Sequence, residues 1–415
     1  MSQPTSLLSL EDALNCMRAL PLGSPKTEQV TLTNAQMRVS AETVESKISM
    51  PLFDNSAVDG YAFCLADLSA DMSLPVSQRI AAGDAPCELV RGGAARIFTG
   101  APIPTGADCV VMQEHAILPD DKANIVQFSG DLSLQQNIRP AGQDFLKGTV
   151  LIERGQVLNP PRLGLLASAG VADVRVYRKL RVAIFSTGDE LLEPGNSLKA
   201  GMIYNSNRYL LTSLLVSLNV EVVDLGCVKD DFSATCEVLL AAATQADLIL
   251  STGGASVGEE DYVQRAIKAN GSIEFWRIAI KPGKPFMQGE VQGCPILGLP
   301  GNPSAVLITF LQLAKPIIHQ LQGCRAQAPK AFKLPIRFTQ KRASIRREFI
   351  RVQRDEAGML CVHPNQSSGM LSSACWAEGL AVFPENACVN EGDLVDFYPF
   401  SMLLAPPETP LVESL

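Results

Sequence analysis

Acidic and basic side chains gather at the ends of five apolar runs between residues 180 and 318. The runs read RVAIFSTGDE, VEVVDLGCVKDD, DLILSTGGASVGEEDY, IEFWRIAIKPGKPF and CPILGLPGNPSA. Asp189 and Glu190 close the first, Asp230 and Asp231 the second, and Glu259, Glu260 and Asp261 follow the third. Carboxylates this crowded are tolerable when a divalent cation bridges them. Oxygen donors suit a hard ion, most naturally Mg²⁺, with Zn²⁺ left open. Glu190 and Asp261, both beside a glycine loop, are the expected metal ligands. Any one acid could instead cap a helix, since Asp231 and Asp261 precede helical patterns. The set as a whole is more than capping requires.

The third run ends in Thr252-Gly253-Gly254-Ala255-Ser256-Val257-Gly258. Glycines permit positive φ and let backbone N–H groups converge on an anion. A following helix N-terminus and the Thr252 and Ser256 hydroxyls would add to that. A plain strand-to-helix turn needs only one or two glycines. The loop is neither a Walker lysine loop nor GxGxxG, so neither a P-loop NTPase nor a dinucleotide enzyme is indicated. Lys281-Pro282-Gly283-Lys284-Pro285 closes the fourth run, and strand spacing puts Arg277 and Lys281 on one face. The fifth ends in Pro300-Gly301-Asn302-Pro303, where Pro303 is a helix-start signal.

These groups need a scaffold that brings five loops to one place. The runs are separated by segments long enough to cross over, mostly helical in pattern. That predicts an open, mostly parallel α/β sheet with its strand ends on one edge, where such sheets bind ligands. Around it the chain of 415 residues, 47% hydrophobic and 19% charged, has length for several domains. A net charge of −8 argues against general affinity for nucleic acid. Eleven cysteines without a CxxC pair suggest reduced thiols in a cytoplasmic protein. The apolar stretch from Ala305 to Ile318 is interrupted by Lys315 and Pro316, so no membrane span is expected. The leucines near the N-terminus lack a basic lead, so no signal peptide is expected.

Four textures follow one another. Leu10, Ala13, Leu14, Met17 and Leu20 recur at helix spacing up to Pro21. Residues 46–142 carry short β-type runs amid Gly and Pro, and residues 143–179 resume a mixed texture. The expected partition is a discontinuous, elongated N-terminal domain of residues 1–45 and 143–179 with an inserted β-rich domain of residues 46–142. An α/β domain of residues 180–328 and a C-terminal β-barrel-like domain of residues 329–415 complete it.

STGDEL (186–191), TGGASVGEEDY (252–262), KPGKP (281–285) and LPGNP (299–303) resemble the molybdopterin molybdenumtransferase family, MoeA in bacteria and the gephyrin E-domain in animals. PLFDNSAVDGYAF (51–63), IFTGAPIPTGADCVVMQE (97–114) and RPAGQDF (139–145) extend the resemblance in order. It implies a four-domain dimer that joins molybdate to adenylylated molybdopterin and releases AMP. Its central domain would bind molybdopterin. By motif, Asp59, Thr99 and Asp144 would lie on one side of the site. Glu190, Asp230, Asp261, Arg277, Lys281, Lys284, Pro300 and Pro303 would lie on the sheet edge, contributed by the other subunit. Arg351 and a serine of QSSGMLSSA, Ser373 by preference, would approach from the last domain. The pathway's adenylyltransferase and acceptor molybdoenzymes are the implied partners. Arg277 stands where the family pattern has lysine, and GGASVG and GNPSA replace GGVSVG and GNPVSA.

Arg337, Lys341, Arg342, Arg346, Arg347, Arg351 and Arg354 form a basic stretch that suits a phosphate, or a solvated strand face. It lacks the interleaved aromatics of an RNA platform. Two other readings differ in class. A molybdopterin adenylyltransferase would need only the central sheet. A non-enzymatic cofactor-binding or assembly protein would not need intact acidic and lysine motifs.

Overall fold

The computed structural model describes residues 7–19, 25–119, 124–254 and 262–407. Ser256, Gly258 and Asp261, with Glu259 and Glu260, lie outside the described residues. The chain divides into two compact units, residues 1–42, 154–159 and 174–410, and residues 43–153, 160–173 and 411–415.

The first unit opens with helix α1 (Leu10–Arg18), as its spacing predicts. The Ser9 hydroxyl caps it by accepting from the Asp12 N–H at 3.0 Å, and Glu11 and Asp12 suit the positive end of the helix dipole. Leu10, Ala13 and Met17 are buried.

The central sheet follows. Its elements are β1 (Arg181–Thr187), α2 (Ser206–Ser217), β2 (Glu221–Val228), α3 (Phe232–Gln245), β3 (Leu248–Thr252), α4 (Tyr262–Asn270) and β4 (Gly271–Trp276). Then come β5 (Ile280–Lys281), β6 (Met287–Val291) and β7 (Cys294–Leu299). Strand order in the sheet is β2-β1-β3-β7-β6-β4. The first four strands are mutually parallel, while β6 runs antiparallel to both β7 and β4. Strand β4 therefore runs with the parallel set. The pairings Trp276–Met287 and Met287–Gly298 put its carboxyl end level with that of β7. All five polar strand ends share one edge, as expected. The expected crossover between the fourth and fifth runs is corrected: β6, unforeseen, joins them without a helix.

Both faces of the sheet are covered, which is why its strands read as apolar runs. Val182, Ile184, Leu248, Leu250 and Leu297 pack with α1 and α2, while Ala183, Phe185, Ile249 and Ile296 pack with α3 and α4. After β7 a continuous helical span runs from Pro303 to Leu321. It comprises α5 (Pro303–Thr309), a π-helical turn (Phe310–Ala314) and α6 (Lys315–Leu321). Pro316 has no N–H for the Gln312 carbonyl, which accounts for the widened turn. The span is long and apolar enough to cross a membrane by composition, yet 72% of its apolar window is buried inside the protein. It is a core helix.

His319 of α6 is 6% exposed, and burial, reinforced by the nearby Lys315 charge, lowers its pKa to about 3. The unfolded imidazole takes up a proton below about 6.5 that the folded one refuses, so this contribution is complete above that pH and lost as pH falls below it. Going from pH 7 to pH 5 should lower stability by about 2 kcal/mol through His319 alone. Urea midpoints at the two pH values should move less in His319→Gln than in the unsubstituted chain. Equal shifts would assign the acid sensitivity elsewhere.

The rest of the first unit is β8 (Phe332–Pro335), β9 (Arg347–Arg354), β10 (Leu360–Val362), α7 (Ser372–Trp376), β11 (Gly379–Phe383), β12 (Leu394–Pro399) and α8 (Phe400–Leu403). The sheet order is β5-β9-β11-β12-β8, with β10 also on β9. A bridge between Ile336 and Leu360 brings the β8 end back to β10, giving the barrel-like closure around Val352, Leu360, Phe383 and Phe397. Its edge strand β5 comes from the KPGKP segment, pairing parallel to β9 at Ile280–Arg347 and Lys281–Glu348.

The second unit centres on a six-stranded sheet in the order 109–112, 60–63, 94–97, 73–80, 125–128 and 116–117. All its pairs are antiparallel except 73–80 with 94–97. Phe63 stacks on Phe128 at 4.4 Å between ring centroids in its core.

Candidate active site

Three loops converge at the carboxyl edge of the central sheet. The Ser186 and Thr252 hydroxyls share a hydrogen bond of 2.9 Å between the ends of β1 and β3. Ser186 also donates to Asn205 Oδ1, which caps α2. A Cβ at Gly253 would stand 2.5 Å from the Thr187 carbonyl oxygen, and φ there is +88°, so both space and backbone require glycine. Gly254 follows at φ +63°. Asn207 Nδ2 donates to the Gly301 carbonyl at 2.7 Å, and a Cβ at Gly301 would sit 4.0 Å from the Gly253 Cα. The glycine loop and the Pro300–Pro303 turn are therefore neighbours.

The acids lie beside them. Gly188 has φ +148°, and the Glu190 carboxylate folds back to where a Cβ at 188 would be, 2.6 Å away. Asp189 accepts from the Asp230 N–H at 3.2 Å, joining the first two strand ends. Burial raises the Cys227 pKa, and the charges of Glu193, Asp230 and Glu190 raise it further, so those carboxylates share one negative field. Asp231 is a helix cap, accepting from the Ala234 N–H at 2.9 Å. No group of three metal-binding side chains occurs among the described residues. Glu190 and Asp230 offer the oxygen donors a hard cation takes, and the other expected ligand, Asp261, lies outside the described residues.

The basic side differs from expectation. Arg277 has φ +79°, so the strand ends at Trp276, and the Arg277 guanidinium stacks 4.3 Å from the Trp276 ring centroid. Arg277 and Lys281 do not share a strand face: the left-handed turn sends Lys281 into the C-terminal sheet. There Lys281 Nζ meets Glu348 Oε1 at 2.7 Å, and Gln340 also donates to that buried carboxylate. Arg337, Arg347 and Arg354 are paired with Asp355, with Glu11 and Glu385, and with Glu378. Arg342 and Arg346 instead join Lys281, Lys284 and Glu348 around a crevice of about 490 Å³. Three of the seven cations of the basic stretch are thus spent on ion pairs, and two arginines extend the KPGKP cations.

Lys281→Ala removes the cation from a buried carboxylate and should cost roughly 1–3 kcal/mol of stability. Exposed Lys284→Ala should leave the thermal melt unchanged. Both should weaken binding of a tetrahedral oxyanion at this edge, as calorimetry beside thermal melts would read. Unchanged binding in Lys284→Ala would remove that lysine from the site.

Arg351 is 1% exposed. Its Nη2 donates to the Ser367 carbonyl at 3.1 Å, while Nε and Nη1 have no hydrogen-bond partner among the described residues. Gln366 grips the Arg351 backbone on both sides, accepting from its N–H and donating to its carbonyl. The same loop holds the Pro300–Pro303 turn: Asn302 Nδ2 donates to Ser368 Oγ at 2.9 Å, and Ser304 donates through N–H to the Ser368 carbonyl and through Oγ to the Met370 carbonyl. Ser373 is buried and donates to Met370 at 2.8 Å, steadying the loop. Ser368 meets the turn, a contact between residues 66 apart that no local pattern announces.

In the second unit the Asp59 carboxylate accepts from the Thr99 N–H and hydroxyl, each at 2.8 Å, and these bonds hold its pKa low. Asp144 is exposed in a loop fixed by its N–H donating to the Met50 carbonyl. The pairing of Asp59 with Thr99 unites two widely separated sequence motifs.

Sequence profiles of three regions match in order: the MoeA N-terminal region, domains I and II, at residues 8–170; a "probable molybdopterin binding domain" at 183–320; and the MoeA C-terminal region, domain IV, at 333–400. A protein of Haemophilus influenzae named molybdopterin molybdenumtransferase is 40% identical over 409 residues, spanning 96% of this chain and all of its own. The chain belongs to the molybdopterin molybdenumtransferase family. A Mycobacterium tuberculosis relative, molybdopterin molybdenumtransferase 2, is 34% identical over 375 residues, covering 86% of this chain and 91% of its own. The crystal structure of a molybdopterin biosynthesis MoeA protein from Pyrococcus horikoshii superposes with a TM-score of 0.80 at 28% identity, over 95% of this chain and all of that one. The family's architecture is the one described above.

Proposed function

We propose that this chain joins molybdate to adenylylated molybdopterin and releases AMP, forming the molybdenum cofactor. Arg351 carries the reading. A guanidinium buried to this degree with two nitrogens unpaired is costly unless an anion completes it, and the loop that holds it also holds the Pro300–Pro303 turn. The reaction brings molybdate, dithiolene sulfurs and a phosphoanhydride together, so cations and backbone donors must offset their mutual repulsion. Arg277, Lys281, Lys284 and Arg351 supply the charge. Thr252, Gly253 and Gly254, with Pro300, Gly301, Asn302 and Pro303, form the cradle; Ser256 and Gly258 are assigned to it by motif alone, and Ser373 steadies the Arg351 loop.

Glu190 and Asp261 would hold Mg²⁺, or Zn²⁺ as the other choice, with Asp230 alongside. The chemistry such a cation would supply there is polarisation of the anhydride for cleavage. Asp59 and Asp144, with Thr99 orienting Asp59, are supplied by the other subunit of a homodimer. The carboxylates are read as metal ligands and positioning groups, without a covalent enzyme intermediate. The domains follow the partition at 45, 142, 179 and 328, in a cytoplasmic protein. The pathway's adenylyltransferase would deliver the substrate, and molybdoenzymes would take the product. Purified protein mixed with adenylylated molybdopterin, molybdate and Mg²⁺ should release AMP only when all three are present. AMP release without molybdate would favour a nucleotide enzyme, and none at all would favour an assembly protein.

A further inference from the structure

A cavity of about 790 Å³ lies among α1, α6, residues 324–332 and the chain from Tyr398 to Pro407. It shares no lining residue with the candidate active site. Leu14, Leu311, Phe332, Met402 and Leu403 give it an apolar wall, and its volume falls in the range of small-molecule sites. Among the described residues, the charged side chains of its lining are Arg18 and Lys315, both cationic, with neither Asp nor Glu. Lys315 Nζ donates to the carbonyls of Leu403 at 2.5 Å and Ala405 at 2.8 Å. An ammonium has three N–H donors, so one remains. His319 lines the same wall, buried, and its Nε2 has no hydrogen-bond partner among the described residues.

We propose that this cavity is a second binding site, for a small amphipathic anion: an acyl or aromatic body carrying one carboxylate, sulfonate or phosphate group. The body lies against the leucines and Phe332, replacing poorly hydrated apolar space with contact. The head group takes the remaining N–H of Lys315 and the Arg18 guanidinium, with no carboxylate among the described lining residues to repel it. The neutral His319 ring offers its free nitrogen as a further polar contact. Discrimination follows from the lining: a cation meets two like charges, and a fully polar anion leaves the apolar wall uncovered.

The test uses the full-length protein and the fluorescent probe 8-anilinonaphthalene-1-sulfonate, with decanoate and decanamide as competitors. One saturable site per chain is expected, emptied by decanoate and not by decanamide. Arg18→Glu, at an exposed rim position, and Lys315→Met should each weaken binding about tenfold. AMP release by Arg18→Glu should stay at the unsubstituted level, which separates this cavity from the catalytic site. If Lys315→Met fails to fold, Arg18→Glu decides alone. Probe binding that is unsaturable, equally displaced by decanamide, or unchanged in Arg18→Glu would overturn the proposal.

Discussion

Arg351→Met should lower AMP release at least a hundredfold while leaving the ligand-free protein as stable as before, or more so. An ordinary buried arginine that loses its partner destabilises; Arg351 has one bond to a carbonyl and two nitrogens without partners. Burial already disfavours its charged form, so removing the charge removes a cost. If the guanidinium exists to meet a developing negative charge, the loss appears in turnover, at roughly 3 kcal/mol of transition-state stabilisation. The measurements are a thermal melt without ligand and single-turnover AMP release. A large drop in melting temperature with activity lost only in proportion would make Arg351 structural.

Mixing two inactive variants should restore activity. Asp59→Ala and Glu190→Ala fall in different compact units, and a twofold dimer with shared sites would take each residue from a different subunit. In the heterodimer one site then carries both defects and the other neither. Random mixing makes half the dimers hetero, each with one intact site, so co-refolding should recover about a quarter of full activity per chain. Heterodimers that form and stay inactive would mean that each subunit completes its own site.

Much of this was legible because it depends on short-range pattern. The strand ends at Thr187, Val228, Thr252 and Leu299 could be read from apolar runs, and Pro303 marked its helix. What escaped depends on partners distant in sequence or on one dihedral. The left-handed Arg277 broke a periodicity argument that assumed a continuous strand. Strand 287–291, reading MQGEV, has too little apolar character to announce itself, because both its neighbours are supplied by the fold. Asp231 reads from sequence as either a cap or a ligand, and the 2.9 Å bond from the Ala234 N–H decides for the cap. Glu348 neutralises Lys281 from 67 residues away, beyond any local signal.

That last separation has a bearing on synthesis. The edge strand Ile280–Lys281 is made well before Arg347 and Glu348, the residues it pairs with. During translation the central sheet can close on its own strands, all complete by Leu299. The lysine loop must then wait, unpaired and with its cations exposed, until the last sheet emerges. A nascent chain released before residue 347 would carry a finished nucleus and an unfinished cation loop. Premature termination after Leu321 but before Arg347 should thus yield protein that folds in its middle and still lacks an ordered place for its anion.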